Sequence, residues 1–444
     1  MNLELQKNHK VTSKIETMLI YFLLLQPVLD VMAYFNIPVS IVFRVLAMGV
    51  GFIYILLQPN TRLKRLSIMY IAVLALFMAT HFMINYMMKI QFTASLEMTY
   101  MIKTVFFVEL LIVYLFVMKS FSIRESWQRI VQVCIFINMA IIGVVMLVAS
   151  LTNTGKRSYG SLAKEGHSGW FFSGNELSVI LAMGFSVMIL YFVNRKTVRH
   201  KITLLPIIGL VIWAMLTVGT KVSFGAVIIV LGVAILLSIL EVIRRKKDVL
   251  NVTILSTLLL VTIVVTPSSP IGNNLNLTFG LNFTNEENGS FIDEEDQLEA
   301  KQLQQDLLSG RNDFLNNVKE QYGKAPLSQK VFGMGIGGNY VDAPKLIEMD
   351  GLDWYYNFGF LGFVLLILPL VYIGYHILAT ILKTRLNILN VSIIFVGLSI
   401  CLGLGSALVA GHVLSSPASG IYLATLIGYL YVITKQQRSD YIKK

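Results

Sequence analysis

Basic side chains in the segments between apolar runs are the first residues here that could do chemistry. The segment 152–171 carries Arg157 and His167, Lys221 follows a short Gly-Thr hinge, and Arg311 follows a Ser-Gly pair. Guanidinium and ammonium groups bind phosphate by charge and by donor geometry. The pattern predicts an anion site if the fold brings these residues together. The alternative is contact with lipid head groups or local carboxylates.

Acidic side chains form a second candidate group. Glu348, Asp350 and Asp353 stand just before an apolar run that begins at residue 354. A carboxylate in such a place can act as a general base and take the proton of a hydroxyl group. The alternative is a solvated acidic patch, and the spacing alone leaves both interpretations open.

Several polar residues lie inside or at the mouth of apolar runs, where such groups are functional candidates. Asp30 and Arg44 flank a short turn at similar depth, so we expect them to form a structural ion pair that pins the first hairpin. Lys103 and His81 are expected to face the interior, and Lys103 is placed to join the anion site. His412, at the mouth of the last apolar hairpin, is expected to be structural.

A glycine pattern in the same polar region needs a separate explanation. Gly333, Gly335 and Gly338 match G-x-G-x-x-G, a signature of dinucleotide binding. No strand–turn–helix pattern surrounds these glycines, so the dinucleotide interpretation is rejected. We expect a tight turn or a close approach of substrate to the backbone. The two cysteines, Cys134 and Cys401, lie in apolar runs and predict neither a disulfide nor a metal site.

The composition determines which elements must carry these residues. Of the 444 residues, 55% are hydrophobic and 14% are charged, with a mean hydropathy of +0.70. Soluble domains carry about 25% charged residues. Such a chain cannot cover itself with polar surface, so it is expected to be an all-α integral membrane protein.

Apolar runs long enough to cross about 30 Å of hydrocarbon recur along the chain and predict about 12 transmembrane helices. The runs at 201–218 and 220–240 are separated only by a Gly-Thr hinge. The predicted spans are 15–35, 38–57, 66–88, 97–118, 127–151, 172–193, 201–218, 220–240, 250–266, 354–380, 388–409 and 413–434.

The distribution of basic residues predicts the orientation. Most of the 36 Lys and Arg residues fall on the side of the N-terminus, which predicts a multi-pass cell-membrane protein with both termini cytoplasmic. The net charge of +11 is thereby explained by topology, and a nucleic acid partner is not expected. The chain divides into a bundle of nine helices at 1–266, one large extracytoplasmic loop at 267–353, and three helices with a cytoplasmic tail at 354–444.

The large loop is predicted to contain short helices and to cap an active site. Its Asn- and Gly-rich beginning after Pro267 looks irregular, and a polar helix is expected to run to about Leu308. A second helix is predicted from Phe314, Val318 and Tyr322, which recur every four residues on one face.

The order of several motifs resembles the O-antigen ligase and polymerase superfamily over nearly the whole chain. The superfamily includes Gram-positive proteins that polymerise teichuronic acids and capsular or exopolysaccharides. The motifs that carry the resemblance are Pro27-Val-Leu-Asp30 with Arg44, Phe171-Phe-Ser-Gly-Asn-Glu176, Leu216-Thr-Val-Gly-Thr-Lys221, Ser309-Gly-Arg311, Gly333-x-Gly335 and Asn357-Phe-Gly-Phe-Leu-Gly362.

Two departures from the family pattern concern the chemistry. Glu348 stands where the ligases carry a His-Asn pair, so a His-based mechanism does not transfer directly. Lys221 stands where relatives often carry Arg.

The resemblance implies a GT-C-like, metal-independent glycosyltransferase without cofactors. It would move a glycan from undecaprenyl diphosphate to a hydroxyl, among membrane lipids and with a flippase and a chain-length regulator as partners. Glu348 would be the base, with Asp350 or Asp353 as substitutes. The residues expected to bind the diphosphate are Arg311, Lys221, Arg157, His167 and Lys103.

Polymerisation of lipid-linked repeat units is the function we expect. The alternatives are a ligase that moves finished glycan to a lipid, wall or protein acceptor, a lipid-linked glycan flippase, and a non-catalytic scaffold. Transporters usually show paired halves, and one long loop between the ninth and tenth spans disrupts that symmetry.

Overall fold

The computed structural model describes residues 2–160, 163–245, 249–279, 314–339 and 346–443. Within these ranges the chain is helical and contains no β-strand, apart from one isolated bridge between Arg157 and His167. An all-helical membrane protein was the fold predicted from the composition, and it is confirmed.

The helices are numbered here in chain order. They are α1 Asn2–Leu24, α2 Gln26–Tyr34, α3 Val39–Leu57, α4 Arg62–Met88, α5 Ala94–Phe121, α6 Trp127–Leu151, α7 Gly174–Val193, α8 Val198–Thr217, α9 Lys221–Arg245, α10 Leu250–Val265, α11 Pro270–Phe279, α12 at 314–324, α13 Leu327–Phe332, α14 Asp350–Lys383, α15 Val391–Val409 and α16 Pro417–Lys443.

Eleven of the described helices are long and apolar enough to cross a membrane, and the number is twelve if α1 and α2, which meet at a bend of 50°, are counted as one span. The predicted number of spans is confirmed, including the separation of α8 from α9. The bend follows from Pro27 in the first turn of α2, because proline cannot donate to the carbonyl four residues earlier. That carbonyl, Leu23 O, instead accepts a hydrogen bond from Asn138 Nδ2 at 2.8 Å.

The centre of the bundle is formed by α5, α7 and α16. In α16, 94% of the most apolar stretch is buried inside the protein, against 17% for the peripheral α10. Gly428 lets α16 approach α5 so closely that a Cβ there would lie 3.0 Å from Tyr114 O. Asn138 Nδ2 also donates to Tyr422 Oη at 2.9 Å, which ties α6 to α16. Such close contacts and hydrogen bonds hold helices together where no hydrophobic force can.

The large loop differs in part from the prediction. Its beginning is a 3₁₀ turn followed by α11, so the expectation of an irregular segment is wrong for residues 270–279. Pro270 suits the first helical position. Asn274 Nδ2 fixes the helix by donating to Glu165 O at 2.7 Å and Gly219 O at 2.8 Å.

Helix α12 agrees with the prediction made from Phe314, Val318 and Tyr322, and Val318 is buried. The expected helix up to Leu308 and the Ser309-Gly-Arg311 motif lie outside the described residues.

Because the spans alternate in direction, the end of α2 and the beginnings of α3, α5, α7, α14 and α16 lie at the same end of the bundle. Those residues proposed for chemistry that the structure describes are positioned at this end.

A candidate glycan-transfer cavity

A cavity of about 880 Å³ lies where these helix ends meet. It combines an apolar wall with five acidic or basic side chains from α2, α3, α5, α7 and the segment before α16. These are Asp30, Arg44, Lys103, Glu176 and His412.

The Asp30–Arg44 pair is present as expected. Arg44 Nη2 donates a hydrogen bond to Asp30 Oδ1, which joins α3 to α2 across the turn at 35–38. The Arg44 Nε–H has no hydrogen-bond partner in the part of the chain that the structure describes. Both residues line the cavity, so the pair is placed to face a ligand as well as to hold the hairpin. Its purely structural role stays a prediction.

Lys103 and Glu176 reach the same cavity from α5 and α7. Ser173 caps α7 by accepting the Glu176 backbone N–H at 3.4 Å, so Glu176 lies in the first turn of that helix. Among the described residues, neither the Lys103 ammonium nor the Glu176 carboxylate makes a hydrogen bond or a close salt bridge, although Glu176 interacts electrostatically with Arg44 and Lys103. Charges within a membrane are expensive unless they are paired or meet a ligand. The two groups are therefore the strongest candidates for direct contact with substrate.

Asp350 is buried and fully engaged with the segment that precedes α16. Its carboxylate accepts the backbone N–H groups of His412 at 3.1 Å and of Val413 and Leu414 at 2.8 Å. It also accepts the Ser415 hydroxyl at 2.8 Å. His412 has a φ of 59°, a left-handed conformation that these bonds stabilise. Asp350 thus holds His412 and Ser415 at the cavity wall.

Asp353 and Glu348 occupy the turn that begins α14. Asp353 is buried and accepts the N–H groups of Ile347 at 2.9 Å and Met349 at 3.2 Å. Glu348 lies between them with a φ of 64°. Neither side chain lines the cavity. The three acids are neighbours, but the observed partners of Asp350 and Asp353 are backbone N–H groups and the Ser415 hydroxyl, and the catalytic assignment of all three stays a prediction.

The predicted outer cations form a separate cluster. Arg157 pairs with His167 in the isolated bridge and donates from Nη2 to Lys164 O at 3.0 Å. Burial, and then the nearby charge of Lys221, lower the pKa of Lys164. Burial also lowers the pKa of His167, which favours its neutral form. None of these side chains lines the cavity, whereas Lys103 does.

The outer cluster is tied to the hinge between α8 and α9. The His167 N–H donates to Thr217 O at 3.2 Å, and Tyr159 Oη donates to Gly219 O at 3.0 Å. The prediction that these cations share one site with Arg311 stays untested, because Arg311 lies outside the described residues.

The glycine loop, residues 333–338, forms a compact turn as predicted. Gly333, Gly335, Gly337 and Gly338 all have positive φ, and the Gly338 N–H donates to Gly335 O at 3.1 Å. A Cβ at Gly333 would lie 2.1 Å from Asn357 O, so the loop presses directly on α14. The side chain of Ile336 lines the cavity.

Sequence reasoning did not name Glu176, which lines the cavity, and it expected His412 to be structural, an expectation that stays a prediction. Glu176 carried a usable signal, because it is an acid in the first turn of an apolar span. For His412 the sequence offered no such signal apart from its location just before the last apolar run. In the described ranges no group of three His, Cys, Asp or Glu residues is arranged to hold a metal ion.

Comparison with known proteins agrees with this architecture. A search of curated proteins finds no significant match. The family model described as O-antigen ligase like membrane protein matches residues 12–437, a region that includes every helix around the cavity. The chain therefore belongs to the O-antigen ligase-like membrane protein family.

Proposed function

We propose that this protein polymerises lipid-linked polysaccharide repeat units at the outer face of the cell membrane, with both termini in the cytoplasm. Membership of the family points to glycan ligation or polymerisation at a membrane. The observation that carries the proposal is the cavity, which offers both an apolar wall and charged side chains. A glycan on undecaprenyl diphosphate has the matching chemistry, with a long apolar chain, an anionic head and a polar sugar.

The apolar wall supports a lipid-linked substrate. Ile41, Val45, Met48 and Ile102 line the cavity on α3 and α5. Ile41 is 66% exposed and Ile102 is 42% exposed, so this wall can also be reached from outside the protein. A lipid tail lying against it would bring the diphosphate head to the cations that line the same cavity.

The reaction requires one bond to form and one to break. The acceptor hydroxyl oxygen attacks the anomeric carbon, and the bond from that carbon to the phosphate oxygen breaks, leaving its electron pair on the diphosphate. Cations aimed at this developing charge lower the barrier. We assign that role to Lys103 and to the Arg44 donors not used by Asp30. Roles for Arg311, Lys221, Arg157 and His167 remain predictions.

The hydroxyl proton must move to a base. We propose Glu176, since its carboxylate lines the cavity and has no hydrogen-bond partner in the described part of the chain. His412 lines the same cavity and is positioned to hydrogen-bond the acceptor sugar. Glu348, the base that the family resemblance implies, is the rival assignment. No metal takes part in the proposed step.

The test uses the purified protein in lipid nanodiscs with a single repeat unit on undecaprenyl diphosphate. A polymerase is expected to produce a ladder of longer carrier-linked glycans, and this product would support the proposal. Transfer only of preformed long glycan to an added acceptor would identify a ligase instead. Movement of the lipid-linked glycan across vesicles without any new glycosidic bond would identify a flippase.

A further inference from the structure

One face of α4 carries a row of buried polar side chains outside the proposed catalytic group. His81, Asn85 and Lys89 recur every four residues and therefore lie on the same side of the helix. Glu97, in the first turn of α5, completes the group and pairs with Lys89. His81 and Asn85 are fully buried, and the Lys89 and Glu97 side chains are only 6% and 2% exposed. We call these four residues the clasp.

The clasp binds the backbone that leads into and through the glycine loop. His81 Nδ1 lies 2.6 Å from Phe332 O, and Asn85 Nδ2 lies 3.4 Å from Gly333 O. The Lys89 ammonium donates to Ile336 O at 3.0 Å. The Glu97 carboxylate accepts the Ile336 N–H at 3.0 Å and 3.2 Å. Both polar groups of Ile336 are therefore held by the one buried ion pair.

The loop needs such external partners. Four of its six residues are glycines with positive φ, and glycine has little conformational preference of its own. A Cβ at Gly335 would lie 2.4 Å from Glu97 Oε1 and 2.8 Å from Lys89 Nζ. The absence of a side chain there is what lets the loop lie directly on the ion pair.

Stability alone does not explain a buried ion pair at this place. Removing two charges from water is costly, and replacing a buried pair by well-packed apolar residues is often neutral or stabilising. The ion pair supplies direction, because it holds the N–H and the C=O of one residue and so fixes the two peptide units on either side of its Cα. That residue is Ile336, which lines the cavity together with Leu96 and Tyr100 from the turn around Glu97.

We propose that the clasp is a positioning device that holds Ile336 at the cavity wall and thereby aligns the two substrates for transfer. The four residues are positioning residues because they act through the glycine loop and touch no substrate themselves. The inference rests on the proposed function for its kinetic part. Its structural part, the fixing of the loop, can be measured without any turnover.

The structural part is tested by hydrogen–deuterium exchange of the peptide covering residues 331–339 in the full-length protein. Glu97→Met and Lys89→Met are each expected to speed exchange at the Ile336 amide by about tenfold or more, since the first removes the acceptor of the Ile336 N–H and the second removes the donor to the Ile336 C=O. Unchanged exchange in both variants would overturn the clasp, whatever the protein's activity.

The kinetic part compares the single variants with the double variant Lys89→Met/Glu97→Met. The single variants are expected to lower kcat roughly tenfold to a hundredfold, the size expected for misplaced reacting groups. The double variant is expected to regain thermal stability, because it buries no unpaired charge, while kcat stays low. If the double variant regained both kcat and stability, the clasp would contribute only to packing, and the proposal would be overturned.

A matched control comes from another buried polar contact. Tyr54→Phe removes the hydrogen bond from Tyr54 Oη to Glu16 at 3.0 Å, in a place that does not line the cavity or touch the glycine loop. It is expected to leave both kcat and exchange at residues 331–339 unchanged. If the wild-type protein transfers no glycan while the exchange results stand, the proposed function fails and the clasp survives.

Discussion

Two groups of ionisable residues at opposite ends of the bundle show how a structural charge differs from a functional one. At the end away from the cavity, buried Glu16 accepts the Tyr54 hydroxyl at 3.0 Å, and Arg124 Nη2 lies 3.9 Å from its other oxygen. At the cavity end, Lys103 and Glu176 have no such partners among the described residues. Placing a charge inside a membrane protein costs free energy in both groups. Only the group at the cavity, Lys103 and Glu176, is placed to interact with a ligand.

The largest expected effect is that of Glu176→Gln. Loss of a general base lowers rates by about 10² to 10⁴-fold. Stability should change little, because the carboxylate makes no hydrogen bond within the described structure. The measurement is the initial rate of glycan transfer in nanodiscs, beside the melting temperature. The matched control is Glu348→Gln, and a larger loss there than at Glu176 would transfer the base role to Glu348.

Removal of the Lys103 charge should come next. Lys103→Met is expected to lower transfer about tenfold to a hundredfold, which corresponds to one lost hydrogen bond to a charged group of about 1.5–3 kcal/mol. Lys103→Arg should retain most of the activity if the cation contacts phosphate. Equal rates of glycan transfer for Lys103→Met and the wild-type protein would show that the Lys103 charge does not face the diphosphate.

Asp350→Asn distinguishes a structural acid from a catalytic one. The variant keeps the shape but weakens four hydrogen bonds to the segment before α16. Stability is expected to fall by about 2–3 kcal/mol, with a smaller loss of rate through the displaced His412. A loss of rate without any loss in thermal or denaturant stability would instead support the sequence-based assignment of Asp350 to catalysis.

The smallest effect on rate is expected at the opposite end. Tyr54→Phe should reduce stability by about 1 kcal/mol, the typical net value of one buried hydrogen bond, and leave the kinetics of transfer unchanged. A clear change in kcat would mean that the two ends are energetically coupled, which would weaken the distinction drawn between them.

The sequence predicts the fold well because hydropathy and span length are local properties. Even the weakly separated pair α8 and α9 could be found, since a Gly-Thr hinge interrupts one long apolar stretch. The sequence predicted a single span at 15–35, where the structure has two helices that meet at the kink before Pro27. The kink could not be seen in the hydropathy, because a bend does not change it. Helix α11 was missed since its stability comes from Asn274, whose partners lie more than fifty residues away.

The site was harder to predict than the fold. Which side chains meet depends on how each helix is rotated and how its first turn is capped. Lys103 lines the cavity but is exposed there, whereas it was expected to face the interior. The Asp350 carboxylate accepts from backbone N–H groups and from the Ser415 hydroxyl, and Glu176 reaches the cavity from the first turn of α7, which Ser173 caps. Charge and spacing could propose these residues but could not rank them.

The burial of α16 has a consequence for biogenesis. This helix follows all the others in chain order, yet it occupies the centre of the bundle, and the residues just before and at its beginning form part of the cavity wall. During synthesis the earlier helices cannot complete this packing until α16 has entered the bilayer. A chain that lacks α16 therefore has no completed cavity, and under the proposed function it could not transfer glycan.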